Sequence, residues 1–307
     1  MKNRTVHDLI VILGPTATGK TKLAVKIANE INGEIISADS RQVYKGMDIG
    51  TGKDLHEYII NNKKIPYHLI DIISPQKNYN VFQFQKDTKK IILELSQKGK
   101  IPILCGGTGL YIKAILMDFH LPAVKPDKQL RVNLEALSLH ELIKKLNSII
   151  DDDITEYLID TKRRVIRAIE IEMNKKLTKS NQHHSMEFKF NNPLIIGIDF
   201  PRKIIREKIT KRLHERLNEG MIEEVETLIN NGLNHLQLES FGLEYRYISL
   251  YLQEKISKEE MIEKLNIAIH QFSKRQMTFF RNIEKNGIKI NWVNEGNYES
   301  IIKLIKS

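Results

Sequence analysis

Cysteine is almost absent: Cys105 stands alone among 307 residues, which excludes an internal disulfide and any zinc-type cysteine spacing. That count suits a reducing compartment. Long apolar runs are absent too, since no stretch approaches the about 20 residues of a membrane span. The N-terminal region offers only the short apolar run Leu9 to Leu13 and no secretory pattern, so a cytosolic location is expected. Internal repeats and low-complexity tracts are not visible. Acidic residues are in deficit, 38 Asp and Glu against 48 Lys and Arg, for a net charge of +10. Such a balance suits a polyanionic partner such as nucleic acid, although a lysine-rich enzyme without one has the same composition. The length is enough for one α/β domain with a full core and a smaller unit beside it.

Against that background one motif stands out. Gly14-Pro15-Thr16-Ala17-Thr18-Gly19-Lys20-Thr21 is a complete G-x-x-x-x-G-K-[ST] phosphate loop. It follows the strand-like run Leu9 to Leu13 and opens a helical pattern at Leu23, Ala24, Ile27, Ala28 and Ile31, the context in which the motif is meaningful. Gly14 and Gly19 let the backbone turn its N–H groups toward phosphate oxygens. Lys20 adds a mobile cation, the Thr21 hydroxyl can ligate Mg²⁺, and the helix offers its positive end. A ligand with two or more phosphates is expected here. The loop alone does not say whether a phosphate is transferred, hydrolysed or expelled.

Strand and helix signals alternate through residue 117, as a parallel sheet requires. Strands are predicted at 9–13, 34–37, 68–72 and 101–104, and helices at 20–31, 81–97 and 108–117. Pro122 and Pro126 then break the chain, helical stretches follow at 128–149 and 154–176, and Thr178 to Asn192 reads as a loop. His183-His184 falls in that loop and reads as a solvated pair. A strand at 194–198 returns to the sheet pattern, helices dominate thereafter, and a last strand is predicted at 288–293. The expected architecture is a phosphate-loop α/β core from 1–117 and 194–307, with a helical insertion at 118–193. Two late helices are basic. One spans 202–217 and carries Arg202, Lys203, Arg206, Lys208, Lys211, Arg212 and Arg216. The other starts at the Ser257/Glu260 capping box, runs for about 28 residues or about 42 Å, and carries Lys274, Arg275 and Arg281.

Three further constellations bear on chemistry. Asp39, in Ser37-Ala38-Asp39-Ser40-Arg41-Gln42, ends the second strand, and strand carboxyl ends face the ligand crevice in open parallel sheets. Its carboxylate can ligate Mg²⁺, serve as a general base, or cap the next element. Gly106-Gly107-Thr108-Gly109 ends the strand at 101–104, with Thr108 either a helix cap or a site residue. Arg163-Arg164-Val165-Ile166-Arg167 places Arg164 and Arg167 on one helical face, where they can grip a diphosphate or an RNA backbone or simply lie in solvent.

Together these segments resemble bacterial tRNA dimethylallyltransferases, also called isopentenyl-diphosphate:tRNA transferases. GPTATGKT, SADSRQVYKGMDIGTGK, Tyr67 to Ile72, GGTGLYIKAIL, RRVIRAIEI, GMIEEVETL and SKRQMTFFR occur in order over nearly the whole chain. The resemblance implies transfer of a dimethylallyl group from its diphosphate to N6 of adenosine 37, beside the tRNA anticodon. It implies that residues 14–21 hold the diphosphate, with Mg²⁺ at Thr21, and that Asp39 takes the proton from the attacking amine. It implies that Thr108 lies in the reaction channel. Residues 39–42 (Asp39, Ser40, Arg41, Gln42), 163–167, 241–246 with Arg246, and 272–279 with Lys274 and Arg275 would face the tRNA, as would Arg131. The insertion would grip the anticodon stem-loop, and a monomer without membrane attachment is expected.

That chemistry is consistent with the residues. Breaking an allylic C1–O bond requires stabilisation of the departing diphosphate, which Lys20, backbone N–H groups and a metal supply. A weakly nucleophilic amine requires a positioned carboxylate. Departures from the family pattern fall on the RNA side: in 241–246 either Glu244 replaces a usual glycine or the turn is shifted to Gly242, His270 replaces a usual arginine and Phe279 a usual tryptophan, and the segment after Arg131 is short. Three other functions compete: isopentenyl transfer to a free adenine nucleotide, a small-molecule kinase using Arg163 to Arg167 as a lid, and a binding module with a vestigial phosphate loop.

Overall fold

Leu9–Leu13, β1, is buried at every position, as a strand covered on both faces must be. In this computed structural model the described residues are 6–118, 124–150, 154, 159–177 and 189–307. The other strands are β2 (Gly33–Ser37), a small hairpin of β3 (Ile59–Ile60) and β4 (Lys63–Lys64), β5 (Tyr67–His68), β6 (Ile101–Gly106), β7 (Pro193–Asp199) and β8 (Asn291–Asn294). Six of them form one sheet in the order β5-β2-β6-β1-β7-β8. Every adjacent pair in it is parallel. The expected α/β class holds.

Helices α1 (Lys20–Ile31), α2 (Val81–Gln97) and α3 (Gly109–Leu116) connect the first strands. Between β6 and β7 come α4 (Lys128–Glu135), α5 (Leu139–Asn147) and α6 (Lys162–Leu177). After β7 come α7 (Arg202–Asn218), α8 (Met221–Asn230), α9 (His235–Phe241), α10 (Leu243–Leu252), α11 (Lys258–Lys285) and, after β8, α12 (Tyr298–Lys306). Ile27, Ile31, Ile301 and Ile305 belong to one apolar layer, and Phe84, Ile112, Phe280 and Ile283 to the other. A third cluster, with Ile209, Leu213, Val225, Tyr245, Ile248 and Leu265, binds α7, α8, α10 and α11 together. The basic helix at 202–217 is therefore no free-standing track. Its Ile205, Ile209, Leu213 and Arg216 are buried, and its outer face, with Arg202, Lys203, Arg206, Lys208 and Lys211, meets solvent.

The chain forms two compact units, one of Met1–Phe119 with Phe188–Ser307 and one of His120–Glu187. Within the smaller unit, α4, α5 and α6 pack through Leu134, Leu142, Leu146, Val165 and Ile169. The helical stretch predicted over 128–149 divides into α4 and α5, because the Ser138/Glu141 capping box starts α5 afresh. Of the helix predicted over 154–176, residues 155–158 lie outside the described residues, as do Pro122 and His183-His184. The strand predicted over 68–72 ends at His68, since Leu69 and Asp71 take left-handed conformations with φ of 62° and 56°. The last strand sits at Asn291–Asn294 rather than 288–293. No helix among the described residues is long and apolar enough to cross a membrane.

Candidate active site

The sheet order explains why three separate motifs meet. β2, β6 and β1 are neighbours, so their carboxyl ends present Asp39, the Gly106–Gly109 turn and the phosphate loop side by side. Gly19 holds φ +72°, the left-handed conformation that glycine takes without strain, and α1 begins one residue later. Inside the loop, Lys20 Nζ donates to the Pro15 carbonyl at 2.6 Å, and Thr18 Oγ1 donates to the same oxygen at 2.8 Å. Burial pushes the Lys20 ammonium down to about 8, and the Arg212 cation nearby acts in the same direction. Asp39 is close enough to oppose that shift. The Thr21 hydroxyl, in the first turn of α1, makes no hydrogen bond among the described residues.

Asp39 does not cap a helix. Its Oδ1 accepts from the Arg41 N–H at 2.9 Å, which pins the turn after β2 and leaves Oδ2 without a protein donor among the described residues. Thr108 makes no capping bond either. Its hydroxyl oxygen accepts from the Ser40 N–H at 3.0 Å, while its own N–H donates to the Ala38 carbonyl at 3.1 Å. Asp39 and Thr108 thus belong to one backbone-welded corner.

These groups line a single cavity of about 820 Å³ in the larger unit, with Thr16 to Thr21, Asp39 to Gln42 and Cys105 to Leu110 on its strand-end side. Its helical wall carries Arg212, Arg216, Phe241 to Arg246, Phe272, Arg275, Gln276 and Phe279. The sequence motifs assign no role to several of these. Gln276 on α11 accepts from the Thr16 N–H at 2.9 Å and donates to the Gly107 carbonyl at 3.0 Å, tying the phosphate loop to the glycine turn. A Cβ at Gly107 would lie 2.4 Å from Gln276 Nε2, so any side chain there would push the amide out of this tie. Arg212 and Arg216 reach the cavity from α7 and share Asp54 at 3.5 and 3.4 Å. Their four-residue spacing is the only sequence signal for them.

The long block from Asp39 to Lys53 is largely scaffolding. Buried Lys53 Nζ bonds the Tyr44 carbonyl at 2.7 Å and pairs with Asp48 and Asp71. The Glu224 carboxylate accepts from the N–H groups of Asp48, Ile49 and Gly50 at 2.7, 2.7 and 3.1 Å, and from the Tyr245 hydroxyl at 2.8 Å. The family resemblance places Gln42 against RNA, yet its amide is buried and spent internally on Ser37 and Gly52. Ser40 and Arg41 are half-buried in the cavity wall, Arg246 and Arg275 are exposed along it, and Lys274 is exposed on α11.

The remaining predicted arginines lie in the smaller unit. Arg131 makes a bidentate pair with Glu170, both bonds at 2.7 Å, and Arg167 bonds Glu170 at 3.2 Å and the Val124 carbonyl at 2.9 Å. Burial works against the Glu170 charge, but the Arg131 and Arg167 bonds outweigh it and hold the carboxyl below its ordinary range. Arg164 pairs with Asp160 at 2.6 Å, and Arg163 is exposed. Arg131 and Arg167 are thus occupied inside the helical unit.

A parallel sheet with a phosphate loop at its central strand, opening into a cavity with an unspent carboxylate and a threonine corner, defines a phosphate-loop α/β enzyme. The IPP transferase family model matches residues 42–283, and the chain belongs to that family. It is 50% identical over 288 residues to tRNA dimethylallyltransferase 2 of Bacteroides fragilis, covering 94% of this chain and 92% of that one. It is 46% identical to tRNA dimethylallyltransferase 1 of Syntrophus aciditrophicus, covering 98% of both. Among solved structures, the full-length tRNA isopentenylpyrophosphate transferase of Bacillus halodurans superposes with a TM-score of 0.67 at 31% identity, over 99% of this chain and 97% of that one. A eukaryotic dimethylallyltransferase acting on tRNA shares the fold, with a TM-score of 0.75 at 24% identity over 95% and 74% of the two chains.

Proposed function

We propose that this protein transfers a dimethylallyl group from dimethylallyl diphosphate to N6 of adenosine 37 in the tRNA anticodon loop, releasing diphosphate. The observation that carries the proposal is the meeting of the phosphate loop, Asp39 and the Thr108 corner in one cavity. The loop N–H groups and Lys20 hold the diphosphate and stabilise the charge that develops as the C1–O bond breaks. The N6 nitrogen forms the new bond to C1, and Asp39 takes the displaced amine proton on Oδ2, the oxygen its turn leaves unspent. Thr108 fixes Ser40, and with it the Asp39 turn, against the acceptor. An adenine must leave the stacked loop to reach such a cavity.

The donor set suits Mg²⁺. Thr21 offers an unbonded hydroxyl, and no cluster of three acidic, His or Cys ligands exists among the described residues. That fits an ion which takes most of its ligands from water and substrate phosphates. When bound, it would lower the negative charge of the leaving diphosphate. Arg167 as a further diphosphate ligand, and Arg131, Arg163, Arg164, Arg246, Lys274 and Arg275 as RNA contacts, belong to the same proposal.

The test is to incubate the protein with dimethylallyl diphosphate, Mg²⁺ and unmodified bulk tRNA, then digest the RNA. N6-dimethylallyladenosine in the digest is the expected result. Prenylated free adenine nucleotide without prenylated tRNA would make it the nucleotide-directed enzyme. Phosphoryl transfer from labelled ATP to a small acceptor would make it a kinase.

A further inference from the structure

Two arginines of α7 converge on a glycine turn to which the reaction just described assigns no role. Arg216 is only 8% exposed and Arg212 is half-buried, and both line the cavity beside Gly50, Thr51 and Gly52. A Cβ at Gly52 would collide with the Nη2 atoms of both arginines, so the bare backbone of this turn is where the two guanidinium groups stand side by side. The turn is itself pinned, since the buried Gln42 amide donates to the Gly52 carbonyl at 2.9 Å. A guanidinium carries five N–H donors. Among the described residues each of these two bonds only through Nη2, to the same Asp54 Oδ2, at 3.5 Å for Arg212 and 3.4 Å for Arg216. Those bonds are longer than the about 2.7–2.9 Å of a tight charge-assisted pair. Arg131 and Glu170, bonded twice at 2.7 Å, show the contrast within this chain. The other carboxylates of the cavity wall, Asp39, Glu57, Glu215, Glu219, Glu239 and Glu244, lie beyond ion-pair distance of both guanidinium groups. One negative charge thus serves two positive ones, and loosely.

Two like charges side by side repel, and a buried cation needs an anion beside it. Forked N–H donors match the oxygens of a phosphate group. Arg212 stands close enough to Lys20 to act on its charge, so the pair faces the same ligand as the phosphate loop. The Asp54 side chain keeps 34% of its surface exposed, and it can take up water when a stronger anion claims its partners. We infer that Asp54 is a positioning residue, which holds Arg212 and Arg216 aimed into the cavity until the donor binds and then yields them to its diphosphate. Asp54 is therefore a competitor of the diphosphate as well as a guide for the arginines. That sign separates it from a metal ligand, whose removal weakens donor binding. It also separates it from a plain structural brace, whose removal strengthens nothing. The inference rests on the phosphate loop holding a diphosphate, and its test is a binding measurement that needs no turnover.

Equilibrium binding of inorganic diphosphate and of dimethylallyl diphosphate, each with Mg²⁺, is compared for the wild type, Asp54→Asn, Arg216→Met and the double variant. A fluorescein-labelled anticodon stem-loop serves as the check on an intact protein. Asp54→Asn is expected to tighten both diphosphates about three- to tenfold, the worth of two partly exposed ion pairs. Arg216→Met should weaken both about ten- to a hundredfold, the range for a lost hydrogen bond to a charged group. Arg216→Lys, which keeps the charge without the fork, should recover part of that loss. In the Arg216→Met background the gain from Asp54→Asn should shrink, because the two residues act through one contact. Diphosphate affinity that is unchanged or weaker in Asp54→Asn overturns the inference. So does a loss of stem-loop binding in Arg216→Met with diphosphate affinity intact, which would give the pair to RNA phosphates. The expected pattern without prenyl transfer by the wild type would overturn the proposed reaction and leave this subsite standing.

Discussion

The strand-end side of the cavity and its helical wall are built by different means. Gly14 to Thr21, Asp39 and the Gly107-Thr108 turn are fixed by backbone hydrogen bonds at the ends of three adjacent parallel strands. Arg212, Glu244, Phe272 and Gln276 stand on α7, α10 and α11, which are held mainly by apolar packing. The first side keeps atoms where bonds break and form. The second can change residue by residue without moving those atoms, and the departures Glu244 and Phe279 fall there. The proposed chemistry and recognition thus fall on elements held in place by unlike means.

Substitutions on each side should therefore fail in different ways. The largest effect is expected from Asp39→Ala, which should lower the single-turnover rate about 10²–10⁴-fold with RNA and diphosphate affinities retained. A rate within about threefold of wild type would remove Asp39 as the base, since general-base catalysis is worth far more than that. Glu224→Ala comes next. It strips the acceptor from three backbone N–H groups and the Tyr245 hydroxyl, and the loss is expected to be about 3 kcal/mol, with each unpaired group costing about 1–3 kcal/mol. Urea denaturation measures it, and an unchanged midpoint would show that the 48–50 turn is not held this way.

Gln276→Leu probes the link between the two sides. It leaves the Thr16 N–H and the Gly107 carbonyl without their partner, at a cost of about 2 kcal/mol. Turnover should fall more than donor affinity, and equal losses in both would mean that the tie only builds the diphosphate site. Glu170→Leu probes the helical unit by itself. Arg131 and Arg167 keep about a third of their side-chain surface in water, so the expected destabilisation is only about 1–2 kcal/mol. Hydrogen exchange should quicken in α4 and α6 and stay unchanged in α1.

The smallest effect is a pH dependence. Lys20 is charged below about 8 and neutral above it, and a diphosphate prefers the charged form. Donor affinity should be flat below about pH 8 and weaken above it, by at most about tenfold per unit, until the pKa of the complex is reached. Lys20→Arg should remove the inflection, and a profile that strengthens as the lysine loses its proton would contradict the assignment.

Local sequence determines much of this molecule. The apolar run Leu9 to Leu13, the glycine spacing of the phosphate loop and the Ser257/Glu260 box each specify their element within a few residues, because strand burial, left-handed turns and helix caps are short-range effects. Where a local signal misleads, a competing short-range effect lies beneath it. Apolar Leu69 and Ile70 suggest a strand over 68–72 but mask a left-handed turn that delivers Asp71 to Lys53. The helical stretch expected over 128–149 is divided by the capping box at Ser138, which starts a second helix at Leu139.

What only the tertiary structure decided is which side chains share the cavity. The sheet order that sets β6 between β1 and β2 brings Thr108 to Ser40, 68 residues apart in the chain. The packing of α11 brings Gln276 to Thr16, 260 residues away. Contacts of that range depend on crossover connections and interlocking apolar faces, which no local pattern encodes.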